Sequence, residues 1–513
     1  MPASASSTKA PRRPRSSWTS RQPAGPRPSR RRAHASINKQ EYASMSSSKP
    51  PLLANATRDL AAFAASVRYE DLPDDVIQRI KTSALDSIAC CLYGATLPWT
   101  RKVADMVREE GAAPAASVMG TGQRSSVANA VLVNATAGHA FELDDIHKES
   151  ILHPGSIALP IAIAYAERDG GWTGRDLITA MATGYEIGIR VGNAATMGLF
   201  FRGFHPQGSS GVFVGAACAG KSLGLDATRM QHALGIVGSQ AGGLMAAQEG
   251  AMVKRFHAGR AAQSGVYSAQ LAARDFTGIT DALEASYGGY LVAYSDSPNA
   301  ARLTDGLGSV WETAKVGYKP HASVTSIHSA LDGLARIMQE HRLSPDDIEA
   351  LDVGVSEMTF VHCAWDYKAQ GVTAAQMNLY YGLAAIAHDG MAFVNQYRQD
   401  RLADPRLLDF IKRIHARSDE AINAMGPAFR HAANVSVRTR DGRTLTQQVL
   451  NRRGSPENPL QPQDVEFKFR NVVESCLAPA DVDAVVRMCD TLDTMEDLSP
   501  LIAMLAKPGT SAA

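Results

Sequence analysis

At 513 residues, with 45% apolar and 20% charged side chains, the chain is long enough for two or three ordinary domains and apolar enough to fill their cores. It has no run of about 18 uncharged apolar residues and no charged-then-apolar secretory signal, so a soluble, intracellular protein without a membrane partner is expected. Formal net charge is +1, but residues 1–50 carry +10 and the remainder −9, so the basic character belongs to the leader and no nucleic-acid partner is expected of the fold.

That leader, with "APRRPRSSWTSRQPAGPRPSRRRAHAS", is rich in Pro, Ser and Arg and lacks apolar periodicity, so residues 1–50 are expected to be disordered. Its composition is that of a mitochondrial transit peptide, although its prolines oppose an amphipathic helix; an upstream start, with the true beginning near Met45, is the other reading. The compartment expected is the cytoplasm, or the mitochondrion if the leader is a genuine transit peptide.

From residue 51 to 315 the pattern is helical. In "LPDDVIQRIKTSALDSIACCLYG", Asp74 and Asp75 occupy a first turn and Val76, Ile80, Ala84, Ile88 and Cys91 recur at steps of three or four, which predicts an amphipathic helix ending at Gly94. Similar Ala- and Gly-rich runs begin near Ser126, Ser156, Arg175, Asp226 and Ala258, and their small residues predict a closely packed bundle. Over residues 316–455 the pattern differs, because "IEALDVGVSEM" and "ANVSVRTRDGRTLTQQVL" alternate with β-branched residues, and Asp441-Gly442 marks a hairpin turn. Residues 456–507 return to helix. The expected fold is mainly α, with a large all-helical domain built from two chain segments and a smaller α+β lid domain between them. The six cysteines lack zinc or disulfide spacing and are expected reduced and mostly buried.

Gly215–Ser222, "GAACAGKS", fits the spacing of a phosphate-binding loop. Ala216-Ala217-Cys218-Ala219 is nevertheless a helix-forming run, and the surrounding "SSGVFVGAACAGKSLGLD" reads as one helix capped by Ser209 or Ser210 and closed near Gly224. Lys221 is then a solvated lysine near a helix C-terminus, and nucleotide binding is the distant alternative.

Three other stretches carry chemistry. "NATAGHAFELDDIHKESILHPGSIALP" gathers Glu142, Asp144, Asp145, His147 and His153; "RGFHPQGSSG" puts His205 at a helix mouth; "GAMVKRFHAGRAAQSG" places Lys254, Arg255, His257 and Arg260 within seven residues. Taken singly, these fit helix caps, a core histidine and a solvated basic face.

Together they resemble the MmgE/PrpD family, whose members include 2-methylcitrate dehydratase, cis-aconitate decarboxylase and iminodisuccinate epimerase. The similarity runs over residues 54–507 and is densest in the three stretches and in "ALGIVGSQAGGLMAAQEGAMVKRFHAGRAAQSGVYSAQLAARDFTG". The resemblance implies a helical domain with an α+β lid, a homodimer, and a site between domains that acts on a small polycarboxylate without metal or organic cofactor. It implies His153 or His205 as proton shuttle, Lys254, His257 and Arg255 as a cationic wall, Lys254 and Lys319 as carboxylate holders, and Tyr381 of "QMNLYYGLA" as a donor. Asp144 and Asp145 match a paired-aspartate motif and would orient His153. Such residue types suit the chemistry, because proton removal beside a carboxylate, or loss of carbon dioxide, builds charge on a substrate that is already anionic. The leading expectation is a 2-methylcitrate dehydratase-like lyase, with decarboxylation or epimerisation as alternatives. One departure stands out: Lys319-Pro320-His321-Ala322-Ser323-Val324 keeps the family lysine and the later His328 but not the middle, and Val324 stands where animal cis-aconitate decarboxylases have histidine.

Overall fold

The structure is a computed structural model that describes residues 52–509. The basic leader expected over residues 1–50 therefore lies outside the described residues.

The chain is mainly α. The first periodic segment forms α1 (Asp74–Ala95), with both predicted aspartates in its first turn and Val76, Ile80, Ala84, Ile88 and Cys91 all buried. The other predicted helices follow as α2 (Val127–Gly138), α3 (Gly155–Asp169), α4 (Gly174–Ala195), α5 (Gly211–Ser222) and α6 (Ala227–Gly238). The last, α7 (Val253–Ala272), starts five residues before the expected Ala258, so Lys254, Arg255 and His257 lie on the helix itself.

Helix α4 is buried on nearly every side and packs against α5, which packs in turn against α7. A helix apolar all round belongs in the middle of a bundle. The phosphate-loop lookalike is the contact surface: a Cβ on Gly265 of α7 would lie 2.3 Å from the carbonyl carbon of Gly215, so the two helices meet backbone to backbone. Residues 215–222 are accordingly helix throughout. Lys221, expected to be solvated, is instead half-buried, and its Nζ donates to the Ala65 carbonyl at 3.0 Å.

Two short strands, β1 (Ile146–His147) and β2 (Val316–Gly317), pair antiparallel and bring the acidic turn of the first sequence half beside Lys319. Beyond them, α8 (His328–His341) and α9 (Leu379–Asp389) accompany a four-stranded sheet. In the sheet, β3 (Ile348–Val355) runs parallel to β4 (Ile414–Ser418) and antiparallel to β5 (Ala433–Thr439). Strand β5 returns as β6 (Thr444–Val449) through Asp441-Gly442, where Gly442 takes φ 87°. Helix α8 covers β5 and β6.

Finally α10 (Pro462–Val473) packs on α1, with Lys468 Nζ 2.5 Å from the buried Asp86 carboxylate. All six cysteines are free and buried. Among the described residues, no helix is long and apolar enough to cross a membrane.

Candidate active site

The turn between α2 and α3 supplies the acids. Glu142 has φ 52° and Ile151 φ 54°, backbone regions that side-chain-bearing residues avoid and that concentrate at functional sites. Glu142 is buried and lies at the meeting point of three cations: Lys254 Nζ, Arg255 Nη1 at 2.7 Å and Lys319 Nζ at 3.2 Å. Burial alone would raise the Glu142 carboxyl, but Lys254, Lys319 and Arg255 outweigh it and hold it well below the usual range. Lys254 and Arg255 sit in the first turn of α7, where the helix dipole disfavours cations, so the Glu142 carboxylate offsets a placement that would otherwise be costly. Burial lowers the Lys254 ammonium to about 8, although Glu142 opposes the shift.

Asp144 serves histidines. Its Oδ2 lies 2.7 Å from His139 Nδ1, and its Oδ1 lies 3.2 Å from His153 Nδ1. Burial opposes ionisation of Asp144, yet His153 and His139 hold its carboxyl well below normal. Burial drives His139 down to about 4 despite Asp144. The His153 backbone is fixed by one amide: Gln207 Oε1 accepts from its N–H at 2.9 Å, and Gln207 Nε2 donates to its carbonyl at 3.0 Å and to Ser156 Oγ at 2.9 Å. The histidines continue as a chain, with His205 Nδ1 2.9 Å from His257 Nδ1. Burial, then His139 and Lys254, press His205 well below the normal imidazole range, which makes it neutral at pH 7.

A cleft with about 820 Å³ of space, its mouth included, opens on this cluster and falls in the size range of small-molecule sites. His153, His205, Lys254 and Lys319 line it, as does Glu142. Arg255, Asp144 and His257 stand one contact behind, on Glu142, His153 and His205 respectively. Two sequence candidates lie elsewhere. Asp145 accepts from Tyr185 Oη at 2.7 Å and from the Gly155 N–H at 3.0 Å, holding the start of α3, and burial raises its carboxyl to about 8. Tyr381 donates to the Gln396 carbonyl at 2.6 Å and packs between Tyr367 and Tyr397, away from the cleft.

Sequence reasoning missed several lining groups: Lys148, His362, Arg430, His431 and Arg452. Val324 is on the wall, whereas His321 turns away to Asp332 at 3.1 Å. The lysines and arginines of the lining are thus Lys148, Lys254, Lys319, Arg430 and Arg452, against a single carboxylate, Glu142. His139, Asp144 and His153 converge closely enough to hold a metal ion, with Asp144 Oδ2 hydrogen-bonded to His139 and Asp144 Oδ1 and His153 Nδ1 without a hydrogen-bond partner. The arrangement suits a polyanion and a proton transfer at imidazole.

The MmgE/PrpD N-terminal domain matches residues 58–302, and the MmgE/PrpD C-terminal domain matches residues 321–493. The chain belongs to the MmgE/PrpD family. Its MmgE/PrpD relatives include the cis-aconitate decarboxylase of Aspergillus terreus, 30% identical over 472 residues that cover 88% of this chain and 96% of the relative. The cis-aconitate decarboxylase-like protein oryM of Aspergillus oryzae is also 30% identical, covering 88% of this chain and 97% of its own. The human cis-aconitate decarboxylase is 26% identical over 470 residues, covering 89% and 96%. The matches extend across both the helical and the sheet-bearing parts of the chain.

Proposed function

We propose that this protein is a metal- and cofactor-free lyase that removes carbon dioxide from a small unsaturated tricarboxylate of the cis-aconitate type. The observation that carries the reading is the cleft lining, five cations against one carboxylate beside a chain of imidazoles. Relatives named as cis-aconitate decarboxylases bring decarboxylation ahead of the dehydration that the sequence put first.

In such a substrate, the bond between the saturated CH2 arm and its carboxylate breaks and carbon dioxide leaves. The electron pair left behind forms a new C=C bond to the central carbon. The electrons of the original double bond move to the far carbon, which lies next to another carboxylate and takes a proton. Lys254 and Lys319 hold the carboxylates and stabilise the charge that builds there. His153 delivers the proton. Asp144 Oδ1 faces its Nδ1 at 3.2 Å, which leaves Nε2 for the substrate. His205, neutral, orients the carboxylate by hydrogen bonding, and His257 and Arg255 hold His205 and Glu142 in place. Asp145 and Tyr381 act through packing. In this reading residues 316–455 form the lid, and the protein works as a homodimer in the cytoplasm, or in the mitochondrion if the basic leader is a transit peptide.

The second reading, 2-methylcitrate-type dehydration, draws on Val324, which puts an apolar side chain on the wall where animal decarboxylases have histidine. Parallel assays of the full chain on cis-aconitate and 2-methylcitrate, with products read by proton NMR, test the proposal. Higher kcat/KM on cis-aconitate with carbon dioxide release supports it, and water loss from 2-methylcitrate at the higher rate overturns it.

A further inference from the structure

We propose that Lys148, Arg430, His431 and Arg452 form a second carboxylate subsite in the cleft, one that selects tricarboxylates over dicarboxylates. The inference rests on the polycarboxylate reading of the site. These four residues come from the segment after β1, the approach to β5 and the loop after β6, and all line the same cleft as Lys254 and Lys319.

Their partners differ in kind from those of the first cationic group. Lys254, Arg255 and Lys319 are matched by Glu142. Arg452 Nη1 donates to the carbonyls of Tyr318 at 3.1 Å and Arg453 at 3.3 Å, and Arg430 donates to the carbonyls of Lys148 and Pro427. These acceptors are neutral. Among the described residues, no carboxylate lies within 4.0 Å of Arg430 or Arg452, and Lys148, whose Nζ donates to the Ala428 carbonyl at 2.6 Å, meets one carboxylate, Glu457, at 3.8 Å. Asp332 and Glu457 act on Arg452, and Glu149 on Arg430, only at longer range.

Arg452 Nε, Arg430 Nε and His431 Nδ1 are buried without a hydrogen-bond partner, with Arg452 only 2% exposed and His431 9%. A buried guanidinium without a counter-charge is expensive, and a carboxylate is the group that satisfies both its charge and its fork of donors. Burial, then Arg430, Arg452 and Lys148, keep His431 neutral at pH 7, so it contributes hydrogen bonding rather than charge. Met245, Met358 and Met377 give the same cleft an apolar wall for a short hydrocarbon frame.

Calorimetric binding of propane-1,2,3-tricarboxylate and pentanedioate, which differ by the central carboxylate and are not turned over, tests the subsite in carboxylate-free buffer. Arg452 is only 2% exposed and braces the Tyr318 carbonyl next to Lys319, so the variants are Arg430→Met and Lys148→Met, each checked by thermal melting against the unmodified chain. The unmodified chain is expected to prefer the tricarboxylate at least about tenfold. Each variant should shrink that preference to within about threefold while changing dicarboxylate affinity by less than about threefold. A preference retained in both folded variants, equal weakening of both ligands, or no preference in the unmodified chain overturns the subsite. Cis-aconitate turnover measured alongside separates the two claims. Carbon dioxide release with the preference unchanged in the variants sinks the subsite alone, and the expected binding pattern without release sinks the reaction alone.

Discussion

Two regions place a lysine among small residues, and only one of them sets it on the wall of a cleft. Gly215–Ser222 has the spelling of a phosphate loop, but its backbone donors belong to α5 and its glycine is a helix contact, with Lys221 tied to a carbonyl. The segment around Lys254 has no such spelling. Its lysine nevertheless joins Arg255 and Lys319 on one buried carboxylate at the wall of a cleft with further cations. Anion binding follows from donors that the fold leaves available, and a local string of residues does not report that.

The largest effects that test this contrast lie at the cleft. His153→Asn should lower kcat by about a thousandfold, because a positioned general acid contributes roughly 100- to 10,000-fold. Lys254→Met and His205→Asn should each cost at least about a hundredfold in kcat/KM. Steady-state kinetics on cis-aconitate checks all three, and activity within tenfold of the unmodified chain in any of them contradicts the assigned role.

Next comes the pair of adjacent aspartates. Asp144→Asn should reduce kcat by about a hundredfold with little change in KM, since it removes the carboxylate that faces the His153 ring and orients it. Asp145→Asn should stay within about threefold, because its partners are Tyr185 and the start of α3. Equal losses in the two variants would dissolve the distinction.

A smaller effect is expected from pH. The Lys254 ammonium sits at about 8, so it is charged below that value and loses its proton as pH rises through it. The substrate KM should therefore climb several-fold above pH 8, while Lys254→Arg should keep KM flat there, because a guanidinium stays charged. Identical alkaline limbs in the two proteins would remove Lys254 from the binding step. The smallest effect belongs to Lys221→Met, expected to leave kcat/KM within about twofold. Loss of nucleotide binding in that variant would revive the phosphate-loop reading.

Much of the fold is legible in the sequence because it is local. The three-and-four spacing of Val76 to Cys91 produces α1, and Asp441-Gly442 between alternating residues produces the β5–β6 hairpin. Two boundaries are not legible. Helix α7 begins at Val253 without a side-chain cap, so nothing before Lys254 announces it. Strand β4 is the polar "IHARS", which becomes a strand by pairing in parallel with β3 at the sheet edge.

The site divides the same way. His153, His205, Lys254 and Lys319, singled out through the three motif stretches and the lid motif, line the cleft. Lys148, Arg430 and Arg452 are hidden in the sequence because their proximity is created by tertiary structure across some 300 residues of chain, where they read as ordinary surface cations. Glu142 stands out in its acidic turn, but its three cations come from two distant segments.

Decarboxylation by the chain's own side chains stands or falls on an NMR time course with cis-aconitate in deuterium oxide, run with chelator present. The expected result is one carbon dioxide released per substrate, one deuterium placed on the far carbon of the original double bond, and the same rate without chelator. Unchanged substrate, or release that the chelator abolishes, would contradict it.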